Sequence, residues 1–301
     1  MQKEKWDATK IKDQTGRIVI ITGSSSGIGF HAANALANKN AKVIIAVRNL
    51  KKGDDAAKKI FAQNKNADIE VLYLDLAKLD VIRQFVKIYK EKYDKLDLLI
   101  NNAGVMIPPY SKTADGFEIQ FGTNHLGHFA LTALLFDLIK NTNNSRIVNV
   151  SSGAHKLGNI NFNDLNWEKR KYNAWKAYGD SKIANLYFTY ELSRRLQNKK
   201  LNTKTTAAHP GWTSTELMRY STIPKFLEKF FAMKPEQGAL STLRAATDEN
   251  AENGDFFGPD GLFEMRGFPI KVHSNDLSHD KNIATELWNI SENLTDIKFV
   301  L

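Results

Sequence analysis

An α/β fold built on a doubly wound parallel sheet, with helices on both faces, is the class this sequence predicts. Three observations lead there. Short aliphatic runs alternate with amphipathic stretches through the first two thirds of the chain. The runs are apolar at successive positions, as strands buried on both faces must be. Parallel strands joined by helices through right-handed crossovers then give the doubly wound arrangement.

The elements follow in order. Arg17–Ile21 predicts the first strand, and Ile28, Ala32, Ala35 and Leu36 come after it at helical spacing. Lys42–Val47 is the second strand, a helix runs on from Lys51, and Ile69–Leu74 is the third strand. Val81, Phe85 and Ile88 mark another helix before a fourth strand at Leu96–Ile100. Phe121–Ile139 reads as one long buried helix, Arg146–Val150 as the fifth strand, Trp175–Gln197 as a further long helix and Thr203–Ala208 as the sixth strand. After His209 the alternation weakens, and Pro224, Pro235, Pro259 and Pro269 interrupt it. There is no Pro/Gly/Ser-rich linker and no internal repeat. The chain therefore reads as a single domain, with a core over about residues 15–210 and an extension over about 211–301.

Composition narrows the chemistry. The 301 residues are 42% apolar and 25% charged, which is ordinary globular usage rather than that of a disordered chain. Cysteine is absent, which excludes disulfides, thiolate zinc sites, iron–sulfur clusters and a cysteine nucleophile. The longest nearly apolar stretch, Phe129–Ile139, is too short to span a bilayer. Met1–Gln14 is polar and mixed in charge, unlike a signal peptide or an anchor, so a soluble cytoplasmic protein is expected. The net charge of +9 comes from 10 Arg and 32 Lys that are dispersed; the densest run is Lys169-Arg170-Lys171. Such a pattern reads as solvated surface, and no nucleic-acid partner is expected.

Directly after the first strand stands Thr22-Gly23-Ser24-Ser25-Ser26-Gly27-Ile28-Gly29. A glycine-rich string between a strand and a helix is the context a dinucleotide pyrophosphate requires. Gly23 permits the tight turn, Gly27 lets the backbone approach the pyrophosphate, and Gly29 allows close packing. The helix N-terminus then offers N–H groups to the phosphates. At the end of the second strand, an NAD-binding unit usually places a carboxylate for the ribose 2′-hydroxyl. This chain has Val47-Arg48-Asn49. A guanidinium can bind a 2′-phosphate that a carboxylate would repel, so NADP(H) is favoured over NAD(H).

Tyr-x-x-x-Lys places two side chains on one helical face. The pattern occurs twice, at Tyr172…Lys176 and Tyr178…Lys182. The first begins in a charged, loop-like stretch. The second opens a helix continuing Ile183-Ala184-Asn185-Leu186, and it is chosen. Carbonyl reduction needs a hydride on carbon and a proton on oxygen. A free tyrosine titrates near pH 10, and a neighbouring ammonium is expected to lower that value. Lowering it by about two to three pH units asks about 3–4 kcal/mol of the site. A hydroxyl from Ser151 or Ser152, where the fifth strand ends, should help hold the substrate oxygen, and alternation lets one of the two face the cleft.

With these pieces in order, the chain resembles the short-chain dehydrogenase/reductase family, and most the retinol dehydrogenase and WW-domain oxidoreductase branch. The resemblance covers nearly the whole chain and implies a Rossmann-type fold and NAD(P)-dependent hydride transfer between the nicotinamide and a small-molecule carbonyl or alcohol. Thr22–Gly29 matches the nucleotide turn, and Asp75, followed by Leu76, matches the residue that bonds adenine. Asn101-Asn102-Ala103-Gly104 matches the motif after the fourth strand. Asn124, in Thr123-Asn124-His125-Leu126-Gly127-His128, matches the helix asparagine of the proton relay. Ser152, Tyr178 and Lys182 match the catalytic serine, tyrosine and lysine, with Lys182 also binding the nicotinamide ribose. Pro210-Gly211, with Thr213 and Thr215 beyond, matches the segment near the nicotinamide amide. Retinol-active relatives often carry an N-terminal membrane anchor, which polar Met1–Gln14 does not resemble, and this weighs against a retinoid substrate. The 25 residues between Ser152 and Tyr178 are an insertion of this branch. They are expected to obstruct the helix-mediated tetramer of shorter relatives, leaving a monomer or homodimer.

Other features carry less. His125 and His128 stand three apart on a helix, but the surroundings are apolar and no third ligand has a recognisable spacing, so no metal is expected. His155 could line the cleft or serve structure. Phe226, Leu227, Phe230, Phe231 and Met233, interleaved with Lys225, Lys229 and Lys234, read as a lid over an apolar substrate pocket, ahead of a membrane-surface helix. The extension is accordingly expected to cover substrate. Two other readings fit less well: a non-catalytic NADPH-binding regulator, which would have no need of Tyr178 and Lys182 together, and a sugar-nucleotide epimerase or dehydratase, whose glycine spacing and larger C-terminal domain do not match.

Overall fold

Val19, Ile20 and Ile21 are all without solvent exposure, which requires a strand covered on both faces. The computed structural model describes residues 5–213 and 232–301. The strands are β1 (Ile18–Thr22), β2 (Lys42–Val47), β3 (Asp68–Tyr73), β4 (Leu98–Asn101), β5 (Arg146–Val150), β6 (Lys204–Ala208), β7 (Phe256–Pro259) and β8 (Pro269–Lys271). They form one sheet in the order β3-β2-β1-β4-β5-β6-β7-β8. Neighbours pair in parallel up to β7, and β8 is antiparallel to it. The order reverses between β1 and β4, the switch point at which such sheets bind ligands beyond their carboxyl ends.

Side-chain alternation builds a core on each face. Val19, Ile21, Val43 and Ile45 join Leu36, Ile60 and Leu243 from helices α1 (Gly27–Ala37), α2 (Leu50–Gln63) and α7 (Pro235–Thr247). Ile20, Ile44, Leu99 and Ile147 pack the other way, on Phe85, Leu135 and Leu192 of α3 (Leu79–Lys92), α5 (Gly127–Asn141) and α6 (Ala174–Asn198). A last helix, α8 (Lys281–Thr295), brings Trp288 to that second core.

The helix expected over Phe121–Ile139 forms, with a change of register in it: one turn, α4 (Ile119–Phe121), passes into a π turn at Gly122–Leu126 before α5. The turn is closely packed on both sides, for a Cβ on Gly122 would meet the Thr113 side chain at 2.5 Å and one on Gly127 the Leu76 carbonyl at 2.4 Å. The extension adds β7 and β8 to the sheet and α7 and α8 to its two faces. Thr215 and the stretch Lys225–Phe231 lie outside the described residues. Met233, from the same stretch, is buried and bridges to Thr213. No helix among the described residues is long and apolar enough to cross a membrane.

Candidate active site

The carboxyl ends of β1 to β6 open into a cleft of about 830 Å³. That lies within the range of small-molecule sites, about 300–1,000 Å³. Gly23 (φ 68°) and Gly27 (φ 57°) turn the chain from β1 into α1 through left-handed backbone that other residues rarely adopt. Gly29 lets the turn close on β4, because a Cβ there would stand 2.5 Å from Asn102 Nδ2. The Thr22 hydroxyl joins the two strand ends by accepting from the Asn102 and Ala103 amides, each at 2.9 Å. Ser25, Ser26, Ile28 and the α1 amino terminus line the cleft.

Each neighbouring strand end adds to the wall. Arg48 and Asn49 leave β2, and Asn49 caps α2 by accepting from the Lys52 amide at 2.9 Å. Asp75 and Leu76 follow β3; Ala103 and Gly104 follow β4; Pro210, Gly211 and Thr213 follow β6. The Thr123 hydroxyl also lines the cleft, buried and without a hydrogen-bond partner. Donor amides at a helix N-terminus, a cation at the β2 end and an unpaired buried hydroxyl together fit a dinucleotide laid across the switch point.

Three residues expected to react converge between the glycine-rich turn and the mouth. Ser152 follows β5 by two residues, and its hydroxyl accepts from the Ala154 amide at 3.2 Å and lies beside the Tyr178 phenol. Lys182, one turn along α6, holds its ammonium 5.6 Å from the Tyr178 ring centre and donates to the Val150 carbonyl at 3.1 Å. Both serines line the cleft, but the Ser151 hydroxyl already donates to the Lys182 carbonyl at 2.8 Å, which leaves the Ser152 hydroxyl as the better placed of the two for a ligand. The other tyrosine of the repeated pattern is elsewhere. Tyr172 donates to Glu118 at 2.8 Å and accepts from Gln120 at 2.9 Å, away from the cleft.

The electrostatics correct one expectation. Instead of being lowered by Lys182, the Tyr178 phenol is pushed up to about 12 by burial, against which the Ser152 hydrogen bond works. Burial also pushes Lys182 down to about 8. A dry pocket penalises both charged forms, and at this separation that outweighs their attraction.

Asn124 stands behind the wall rather than on it. Its amide accepts from Val105 N at 2.8 Å and donates to Val105 O at 2.9 Å and Ser181 Oγ at 3.0 Å. His155 is structural: it donates from Nδ1 to the Ser152 carbonyl at 2.7 Å and accepts at Nε2 from the Asn275 amide at 3.3 Å. His125 pairs with Ser291 and packs among Phe121, Phe129 and Phe188, and His128 uses both ring nitrogens within the protein.

The family model for short chain dehydrogenases matches residues 17–224. This chain belongs to that family. It is an NAD(P)-dependent oxidoreductase of alcohol or carbonyl groups. The chain is 41% identical to mouse (Mus musculus) retinol dehydrogenase 12 over 94% of its own length and 88% of the relative's. With human (Homo sapiens) retinol dehydrogenase 11 it shares 42%, covering 92% of this chain and 85% of that one. Among solved structures, a putative uncharacterized protein from Mycobacterium Paratuberculosis superposes with a TM-score of 0.84 at 40% identity, covering 99% of this chain and 100% of that one. The Pseudomonas aeruginosa RhlG/NADP complex gives 0.66 at 25% identity, over 84% of this chain and 98% of that one.

Sequence reasoning did not single out several residues on the wall of this short-chain dehydrogenase. Lys52 sits one helical turn beyond Arg48, a spacing that could have been read. Leu157, Trp175, Phe263 and Met265 form the mouth, and Phe263 is 79% exposed. Phe263 and Glu264 both adopt left-handed backbone, and Glu264 reaches in to His209 Nε2 at 2.8 Å, a contact that holds its carboxyl below the usual range. Two adjacent non-glycine residues at positive φ have no sequence signature.

Proposed function

We propose that this short-chain dehydrogenase is an NADP(H)-dependent carbonyl reductase or alcohol dehydrogenase for lipophilic substrates. The observation that carries the reading is the convergence of Ser152, Tyr178 and Lys182 between the glycine-rich turn and an apolar mouth. A nicotinamide dinucleotide held across Gly23–Gly29, Arg48 and Asp75 supplies or accepts the hydride. Tyr178 holds the proton for the substrate oxygen, and burial keeps its phenol protonated at neutral pH, the form that carbonyl reduction needs. Ser152 orients that oxygen from beside the phenol. Lys182 stays mostly an ammonium at pH 7. Its charge, 5.6 Å from the Tyr178 ring centre, favours the phenolate left behind. Asn124 supports reprotonation by holding the helix segment that carries Ser181 and Lys182.

Preference for NADP(H) rests on Arg48 and Lys52 on the wall at the β2 end, where no carboxylate stands to repel a 2′-phosphate. The RhlG complex, which holds NADP, supports the same reading. A lipophilic substrate is supported by the mouth, where Leu157 is 56% and Trp175 40% exposed. The test is NADPH oxidation with a panel of aldehydes, ketones and quinones, repeated with NADH. Turnover of apolar carbonyls, faster with NADPH, is expected. Equal or faster rates with NADH would overturn the role of Arg48, and no turnover despite tight NADPH binding would overturn the catalytic reading.

A further inference from the structure

His128 is 2% exposed, yet neither ring nitrogen is idle. Nε2 lies 2.9 Å from the Thr22 hydroxyl, and Nδ1 lies 2.9 Å from the Asn124 carbonyl. The proton positions follow from counting lone pairs. Thr22 Oγ1 already accepts two amides, from Asn102 and Ala103, so its own hydrogen must point outward. Its choices are His128 Nε2 at 2.9 Å and the Ile100 carbonyl at 3.4 Å, and the shorter contact wins. Nε2 is then an acceptor. Nδ1 carries the ring hydrogen and donates to Asn124 O, so a single neutral tautomer satisfies every group.

What this ring connects is the chemistry. Thr22 belongs to the nucleotide turn and grips the segment after β4. Asn124 lies in the π turn, a local break in helical register of the kind often found at functional sites. From that turn its amide fixes both backbone atoms of Val105, on the cleft wall, and the hydroxyl of Ser181. Ser181 in turn donates to the Tyr178 carbonyl at 2.7 Å and directly precedes Lys182. A Cβ placed on Gly104 would lie 3.1 Å from Asn124 Oδ1 and 3.6 Å from Lys182 Nζ, so the asparagine and the lysine share one small space.

We propose that His128 is a positioning residue for proton transfer: oriented by the Thr22 hydroxyl, it donates to the Asn124 carbonyl and thereby sets the π turn from which Asn124 holds the Tyr178–Lys182 segment against the cleft wall. The inference rests on the oxidoreductase reading of the cleft. A wild-type enzyme without turnover would sink that reading, whereas normal turnover in the variants below would sink only this inference.

Two amide substitutions separate the two arms of the ring, because an asparagine amide reaches about as far as Nδ1 and a glutamine amide about as far as Nε2. His128→Gln keeps a partner for Thr22 and abandons the Asn124 carbonyl; His128→Asn does the reverse. Measured per active site on protein with a native circular dichroism spectrum, His128→Gln should lower kcat about tenfold or more, the cost of one lost hydrogen bond to the Asn124 carbonyl. It should also shift the alkaline limb of the pH–rate profile, while the Kd for NADPH changes less than about twofold. His128→Asn should recover most of the lost kcat. Equal kcat in both variants, or a loss in His128→Gln found wholly in the NADPH Kd, would overturn the proposal. Should neither variant fold, the wild-type protein gives the answer. Nitrogen-15 spectra of histidine-labelled enzyme should show two buried rings, His128 and His155, as neutral Nδ1–H tautomers, and only the His128 Nε2 signal should shift in a Thr22→Val protein. An Nε2–H tautomer at His128 would refute the inference outright.

Discussion

Raising the pH should switch this enzyme off through its lysine long before its tyrosine. Burial brings Lys182 from an ordinary 10.5 down to about 8, by penalising the charged form. The same burial pushes Tyr178 up to about 12. Carbonyl reduction needs both groups protonated, the phenol as donor and the ammonium to favour the phenolate that remains. The sign follows: deprotonation of Lys182 removes activity as pH rises, and the phenol does not titrate in the working range. Measured as kcat/KM for NADPH at saturating carbonyl, which reports the groups of the free enzyme, reductase activity should be level near pH 6.5 and half lost at about pH 8. By pH 9 it should be about tenfold down. In Lys182→Met the alkaline limb should vanish at a uniformly low rate. A wild-type plateau that persists to pH 10 would refute the reasoning, since the lysine would then be neither desolvated nor needed.

Acid should destabilise the fold. His125, His128 and His155 are held neutral by burial, at about 3, 4 and 4, so the unfolded chain binds more protons between pH 6.5 and 4 and their stabilisation is lost as pH falls through that window. Asp180, raised to about 6 by burial, acts in the opposite direction and offsets part of it. The Tm should fall by about 5 °C or more between pH 7 and pH 5, and an unchanged Tm would contradict this. Arg48→Glu should cost about 10–100-fold in kcat/KM with NADPH while sparing NADH, by removing charge-assisted contacts to a 2′-phosphate; parallel losses with both would count against it. Phe263→Gly relieves left-handed backbone and strips apolar surface from the mouth, so KM for long apolar aldehydes should rise about fivefold with kcat for a short aldehyde unchanged.

Much of the fold was legible because the central strands leave no choice of partner. Val19–Ile21 and Val43–Ile45 are apolar at every position, and only a sheet covered on both sides accommodates that. The glycine-rich turn was legible because its position between strand and helix gives it a meaning. Tyr178 was separable from Tyr172 because helical sequence follows the first and a charged loop precedes the second. The remainder depends on packing that no local pattern encodes. β7 and β8 are short and interrupted by Gly258, Pro259 and Pro269, so they join the sheet through register alone. The π turn is packed at Gly122 on Thr113 and flanked by Gly127 on Leu76, contacts that helical periodicity does not display. The raised phenol follows from burial contributed by several elements at once, whereas the sequence displays only the neighbouring cation. The mouth is built from Phe263 to Met265, in a segment without periodicity.

Replacement of the phenolic oxygen is the most direct test of the whole account. Tyr178→Phe, compared with Tyr172→Phe, should lose at least about a thousandfold in carbonyl reduction while binding NADPH within about twofold of wild type, because the hydroxyl serves proton transfer and not the nucleotide. Tyr172→Phe should retain turnover. Carbonyl reduction by Tyr178→Phe at a rate near that of wild type would contradict the account.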